Sequence, residues 1–267
     1  MAEIKVLALD LDGTLTNSQK EVTPRTRAAL DAAIAKGVTI VLASGRPTAG
    51  VLPLAKELGL DKKGGCILSY NGGKIIDCRT GETLYQKQLD AQYVPELCAF
   101  AAAQNVTIIT YNKEGVVTEH PDDKWALREC FTCKLPMTGV DDLAKYVGYP
   151  ICKMLITLDP ARRDEVWAAG KKQFDGRIDL LPRPLHRVDV FHCLFVVHRY
   201  CLDSRNNIKN FGTPERRQTL RCSILRISYF FASFIRLRFS SRMRSSTTFT
   251  ALRMRAFGMR TASVAHG

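Results

Sequence analysis

Three short apolar runs, each stopped by a loop of small or polar residues, restrict what this chain can fold into more than any other feature. Residues 4–9 end at Asp10-Leu11-Asp12-Gly13-Thr14, residues 38–43 at Ser44-Gly45-Arg46-Pro47, and residues 66–69 at Tyr70-Asn71-Gly72-Gly73. Short apolar runs rich in β-branched side chains, bounded by such loops, read as buried strands. Between the first two, Thr23-Pro24 supplies an N-cap followed by proline at the first helical position. Ala29, Leu30, Ala33 and Ile34 then give an apolar helical stripe that Lys36-Gly37 closes. A second helix is predicted over 51–58. Strand, helix, strand, helix, strand at this spacing predicts a parallel α/β sheet. Such sheets bind ligands beyond the carboxyl ends of their strands, where the three loops lie.

Two carboxylates two residues apart at a strand end have a chemical use. Asp10 and Asp12 can face one site while Leu11 points into the sheet. One carboxylate can hold a hard divalent cation and attack phosphorus; the other can transfer a proton. Gly13 lets the backbone turn closely around a ligand. The Ser44 hydroxyl and the N–H groups beside it can hold phosphoryl oxygens. An Asp-x-Asp-Gly loop by itself reads as a solvated turn. Its place after an apolar strand, with a Ser-Gly-Arg loop after the next strand, favours a site instead.

These residues carry a family resemblance. Leu7-Ala8-Leu9-Asp10-Leu11-Asp12-Gly13-Thr14-Leu15 resembles the first motif of the haloacid dehalogenase superfamily, and Val41-Leu42-Ala43-Ser44-Gly45-Arg46-Pro47 the second motif of its Cof-type phosphatases. Ser69-Tyr70-Asn71-Gly72-Gly73 resembles the Asn-Gly element after strand three of that subfamily. The resemblance covers roughly residues 3–180. It implies a Rossmann-like parallel-sheet core with an inserted mixed α/β cap, and a Mg²⁺-dependent phosphatase of small phosphorylated metabolites such as sugar phosphates. By the same resemblance Asp10 is the nucleophile that forms an aspartyl-phosphate. Asp12 is the acid and base, and both residues hold Mg²⁺, Asp12 also through its backbone carbonyl. Ser44, Gly45, Arg46, Asn71 and Gly72 are expected to bind the substrate and its phosphate. A phosphosugar mutase is the alternative within the superfamily, since both reactions begin with an aspartyl-phosphate.

Residues 1–83 are expected to form the first part of the core. At their end, Ile75-Ile76 and Leu84-Tyr85 flank Thr80-Gly81 as a hairpin leading out of the core. Residues 84–182 are expected to form the cap: a helix at 97–103, extended segments at 106–111, 115–118 and 153–157, and a helix from Asp159-Pro160 to about residue 173. A cap of this kind excludes water and supplies contacts specific to the substrate.

Charge marks a boundary after that. The chain has 39 Lys+Arg against 26 Asp+Glu, a formal net charge of +13. Residues 1–180 hold 23 basic and 23 acidic side chains, and residues 181–267 hold 16 and 3, so the whole excess belongs to the last segment. That segment has 15 Arg to one Lys, and nine of the chain's 12 Phe, but three of its 18 Gly. Two elements that the resemblance leads one to expect after the cap find no match there: a lysine, since Lys209 lacks the surroundings, and a Gly-Asp-x-x-Asn-Asp loop. The acids Asp189, Asp203 and Glu215 stand in no such loop, so the parallel core is expected to be incomplete. Residues 183–267 are read as a poorly packed or disordered basic tail. Arg, Ser and Leu, the residues with six codons, number 15, 9 and 8 in residues 181–267, which points to a shifted reading frame beginning near residues 181–184. The competing class is a protein that binds nucleic acid or an anionic membrane through this tail. Against it, Arg226, Arg236, Arg238, Arg242 and Arg244 share no helical face opposite the apolar residues of 224–239.

Other candidates are weaker. Cys130-Phe131-Thr132-Cys133 has metal or redox spacing but no second pair, and packing is the expected role. His192, Cys193, His198 and Cys201 cluster without a context that would make them ligands, and Trp125 and Trp167 read as packing residues. Nine cysteines, an odd number without framework spacing, read as reduced thiols. With no signal-peptide pattern and no run near the roughly 20 apolar residues of a membrane span, a cytoplasmic protein is expected.

Overall fold

The computed structural model describes residues 4–182 and 193–198. The first three strands, β1 (Val6–Asp10), β2 (Thr39–Ala43) and β3 (Cys66–Ser69), lie side by side and parallel, in register Leu9↔Leu42 and Leu42↔Ile67. The strands β4 (Lys74–Asp77) and β5 (Thr83–Gln86) extend the sheet antiparallel, as the Thr80-Gly81 turn implies, giving the order β1-β2-β3-β4-β5. Ile40, Val41, Leu42, Ile67 and Leu68 are completely buried, each contributing roughly 1.5–3 kcal/mol of hydrophobic stabilisation. The side chains of β1 are half-buried or exposed, because β1 is the edge of this sheet among the described residues.

Helix α1 (Pro24–Ala35) starts at Thr23, whose side chain accepts the Thr26 N–H, and packs Leu30 on β2. The helix predicted over 51–58 is split in two. A 3₁₀ turn at Thr48–Gly50 leads into α2 (Leu52–Glu57), and Gly59, at φ 70°, separates it from α3 (Leu60–Lys63). The left-handed conformation at Gly59 is what stops the first helix.

The second unit has a six-stranded sheet covered by helices. Its elements are α4 (Tyr93–Ala103), β6 (Thr107–Tyr111), β7 (Val116–Thr118), α5 (Lys124–Cys133), β8 (Met137–Gly139), α6 (Leu143–Tyr146), β9 (Lys153–Thr157), α7 (Arg163–Phe174), β10 (Ile178–Pro182) and β11 (Cys193–His198). The strand order is β10-β11-β9-β6-β7-β8, with only β7 and β8 parallel. Leu97, Met154, Ile156, Val166 and Phe174 form its core, where the Phe100 and Phe174 rings meet edge to face at 5.4 Å. Helix α4 begins four residues earlier than its apolar stripe suggests. The chain enters this unit through residues 87–92, where Leu89 N–H donates to Ile151 O at 2.8 Å just ahead of β9.

The boundary drawn at residue 182 from composition does not match the sheet. Leu194-Phe195-Val196-Val197, an apolar run on the tail side of the charge boundary, lies in β11 between β10 and β9. The remaining tail features, including His192, Cys201, Lys209, the 224–239 stretch and residues 183–184 of the reading-frame boundary, lie outside the described residues. No helix among the described residues is long and apolar enough to cross a membrane.

Candidate active site

The three loops predicted from sequence meet at the carboxyl ends of β1, β2 and β3. Asp10 is the last residue of β1, exposed, and in register with Ala43, the residue before Ser44. Leu11 turns inward and is 2% exposed. The loop folds back on the strand end: Leu15 N–H donates to Asp10 O at 3.1 Å and Thr16 N–H to Leu11 O at 3.0 Å. Gly13, at φ 77°, takes the left-handed turn this requires.

Asp12 is gripped by two cations. Arg46 Nη2 lies 2.7 Å and Lys20 Nζ 2.8 Å from its Oδ1. Partial burial pushes the Asp12 carboxyl up, but the hydrogen bond from Lys20 and the charges of Arg46 and Lys20 outweigh it and hold it below the ordinary aspartate range. The Arg46 guanidinium keeps a second donor, Nε, buried without a hydrogen-bond partner among the described residues.

Ser44 is 2% exposed. Its Oγ accepts the Arg46 N–H at 3.1 Å, which leaves the hydroxyl proton to be donated elsewhere. Its backbone is tied to β3 and to the loop after it, N–H to Leu68 O at 2.8 Å and O to Asn71 N–H at 3.2 Å. Thr48 Oγ1 and Ser69 Oγ, 2.7 Å apart, join the same two loops again.

The third loop is conformationally unusual. Tyr70, Asn71 and Gly72 all have positive φ, at 52°, 59° and 92°. For two non-glycine residues in succession this is strained backbone of the kind that gathers at functional sites. It buries Asn71 beside Gly45, and Gly72 closes the turn. Asp12, Ser44, Gly45, Arg46 and Asn71 are thus brought together, with Asp10 alongside.

Three contributors were not legible in the motifs. Lys20 reaches Asp12 from the turn before α1. Gly50 accepts the end of α5 so closely that a Cβ there would stand 3.1 Å from Cys133 O. Lys153, the first residue of β9, sends its Nζ to Gly45 O at 2.8 Å. The second unit therefore touches the Ser44–Arg46 loop directly.

The donors at the end of β1 are all oxygen: the Asp10 and Asp12 carboxylates and the Asp12 backbone carbonyl. These are hard ligands suited to Mg²⁺, which is commonly held by one or two carboxylates and keeps several waters. No group of three or more His, Cys, Asp or Glu side chains placed to hold a metal occurs among the described residues.

Cys130 and Cys133 sit at the C-terminal end of α5, opposite to a redox site, and both are free thiols. Burial and the Glu129 carboxylate push the Cys130 thiol up to about 11 and raise Cys133 as well, against thiolate chemistry. Cys133 is buried and donates to Glu129 Oε1 at 3.1 Å. Trp167 packs on the core and donates to Leu180 O; Trp125 is half-buried under Lys124.

Residues 7–192 match the family of haloacid dehalogenase-like hydrolases. The chain belongs to this family. A haloacid dehalogenase-like hydrolase from Bacteroides thetaiotaomicron superposes with a TM-score of 0.70 at 32% identity, over 85% of this chain and 77% of that one. By sequence, the chain is 32% identical over 135 residues to a Streptococcus pyogenes serotype M6 protein, covering 50% of each. It is 30% identical over 149 residues to a Bacillus subtilis protein, covering 55% of each. Both carry the name "putative phosphatase". The chain thus spans about half the length of these two relatives. Family membership makes the α/β core and its inserted cap the expected architecture, and the second unit described above is that cap.

Proposed function

We propose that this chain is a phosphomonoesterase of small phosphorylated metabolites, sugar phosphates among them, working in the cytoplasm with Mg²⁺ at Asp10 and Asp12. The observation that carries the reading is the convergence of Asp10, Asp12, Ser44, Arg46 and Asn71 at three adjacent parallel strand ends. Acid groups with adjacent donors suit phosphoryl transfer, which depends on positioning and charge neutralisation.

In this reading an Asp10 oxygen attacks the phosphorus as the ester P–O bond breaks. With Arg46 turned from Asp12 to the phosphoryl oxygens, Asp12 binds a proton from solvent and gives it to the departing oxygen, leaving a free alcohol and an aspartyl-phosphate. Asp12 then takes a proton from water as that water attacks the phosphorus, releasing inorganic phosphate and restoring Asp10. The Ser44 hydroxyl and Arg46 bind the phosphoryl oxygens. Arg46 has a donor to offer in Nε, and it exchanges its Asp12 contact for the substrate. Magnesium, when bound, neutralises phosphoryl charge at the Asp10 and Asp12 oxygens. The cap closes the cleft against bulk water.

The test is phosphate release from a panel of sugar phosphates and p-nitrophenyl phosphate by the full chain. Release that needs Mg²⁺ and disappears in Asp10→Asn is expected. Release that persists in Asp10→Asn, or none from any ester, sinks the reading.

A further inference from the structure

Three successive carbonyls line the loop after β2, and each has a donor. Ser44 O accepts from Asn71 N–H at 3.2 Å and Arg46 O from Tyr70 N–H at 2.9 Å, both within the core. Between them, Gly45 O accepts from Lys153 Nζ at 2.8 Å, and that donor comes from the cap. Lys153 is 1% exposed, and its ammonium stands 5.2 Å from the centroid of the Tyr111 ring, which fixes the approach of the side chain.

The carbonyl of Gly45 and the N–H of Arg46 belong to one peptide unit, which is planar and rigid. Its oxygen is held by Lys153, and its N–H donates to Ser44 Oγ at 3.1 Å. The cap therefore grips one end of a plane whose other end sets the Ser44 hydroxyl. A cationic donor makes the stronger kind of hydrogen bond to a carbonyl, and it polarises the N–H across the same peptide. Gly45 has no Cβ to resist rotation of that plane, so an external grip has the most to do there.

We propose that Lys153 is a positioning residue for phosphoryl binding: docked, the cap clamps the Gly45–Arg46 peptide and so aims the Ser44 hydroxyl at the phosphoryl group. The phosphate loop is complete only while the cap is seated, which ties its competence to closure. The part played by Ser44 rests on the proposed function; the clamp itself does not.

The experiment compares the full-length wild type with Lys153→Met, Lys153→Gln and Lys153→Arg. Amide hydrogen exchange is followed at Arg46 and along β9, and kcat and KM are measured for p-nitrophenyl phosphate with Mg²⁺. Lys153→Met is expected to speed exchange at Arg46 about tenfold while residues 154–157 stay protected. It lowers kcat about tenfold with little change in KM, as a misplaced group would. Lys153→Arg, which keeps a cationic donor, restores both, and Lys153→Gln falls between.

Unchanged exchange at Arg46 in Lys153→Met overturns the proposal. Loss of protection throughout β9 in all three variants also overturns it, since Lys153 is then a packing residue. Faster exchange at Arg46 with unchanged kcat removes the link to Ser44 and overturns it too. A wild type that releases no phosphate defeats the proposed function instead, and the exchange ratio still decides the clamp.

Discussion

Asn71 lays its side-chain amide against Gly45, where an added Cβ would stand 3.0 Å from Asn71 Nδ2 and 3.3 Å from Oδ1. Glycine at 45 is thus the condition for the second and third loops to approach each other. Gly45→Ala is expected to push Asn71 aside at a cost of about 1 kcal/mol in stability. By separating the two loops it lowers phosphate release about tenfold or more. A melting curve and a rate measurement on one preparation check both. An alanine variant with wild-type activity would show that the loops tolerate the gap.

Two cap glycines differ in what surrounds them. A Cβ at Gly115 would stand 2.2 Å from Pro136 O, and that carbonyl accepts the Val116 N–H that begins the β7–β8 pairing. At Gly170, inside α7, the close atom is Leu180 Cδ2 at 2.6 Å, the far end of a side chain that can rotate. Gly115→Ala is expected to cost about 3 kcal/mol. Gly170→Ala should cost about 1 kcal/mol or less, because alanine is the better helix former. Urea unfolding followed by tryptophan fluorescence ranks the two, and the reverse order contradicts this account.

Asp123 holds the start of α5. Its Oδ1 accepts from Trp125 N–H at 3.1 Å, Ala126 N–H at 2.8 Å and the Thr157 hydroxyl at 3.2 Å. Asp123→Ala therefore loses a helix cap and a tie to β9, and is expected to destabilise the cap by about 1–2 kcal/mol. Asp123→Asn keeps an acceptor oxygen and should recover most of that loss in the same urea measurement.

Arg177 meets Glu96 through both guanidinium Nη atoms, joining the turn after α7 to α4. Its hydrogen bond, with help from Gln173 and against slight burial, holds the Glu96 carboxyl below the ordinary range. A depressed acid contributes stability above its unfolded value, about 4.3, and loses it as pH falls through the folded value. The difference in urea midpoint between wild type and Arg177→Met is thus expected to be level from about pH 7 to 5 and to shrink below about pH 4. A difference that grows on acidification would reverse the sign.

How much of this was readable in the sequence depended on range. The three core strands and their loops were readable because each apolar run is local and each is stopped by a loop carrying Gly beside Asp, Ser or Asn. The hairpin of β4 and β5 was readable from Thr80-Gly81. Helix α5 was not: Leu127 and Phe131 are 50% and 81% exposed, so its apolar residues do not mark its buried side. Strand β8 has three residues and exists through its parallel pairing with β7. Lys153 opens an apolar strand, a position that ordinarily reads as a solvated end. It is buried because its partner, Gly45, lies 108 residues away in the chain. Strand β11 was hidden by the charge of the residues after it.

The bridge between Leu89 and Ile151 places the start of β9 against the segment by which the chain enters the cap. Lys153 is two residues further on, close to any pivot in that segment. Points near a pivot travel little when a body turns. A swing that carries the far rim of the cap through a wide arc moves the Lys153 ammonium over a short one. A shift of about 1 Å there is still enough to break a hydrogen bond of 2.8 Å, so the grip on Gly45 holds only with the cap fully seated.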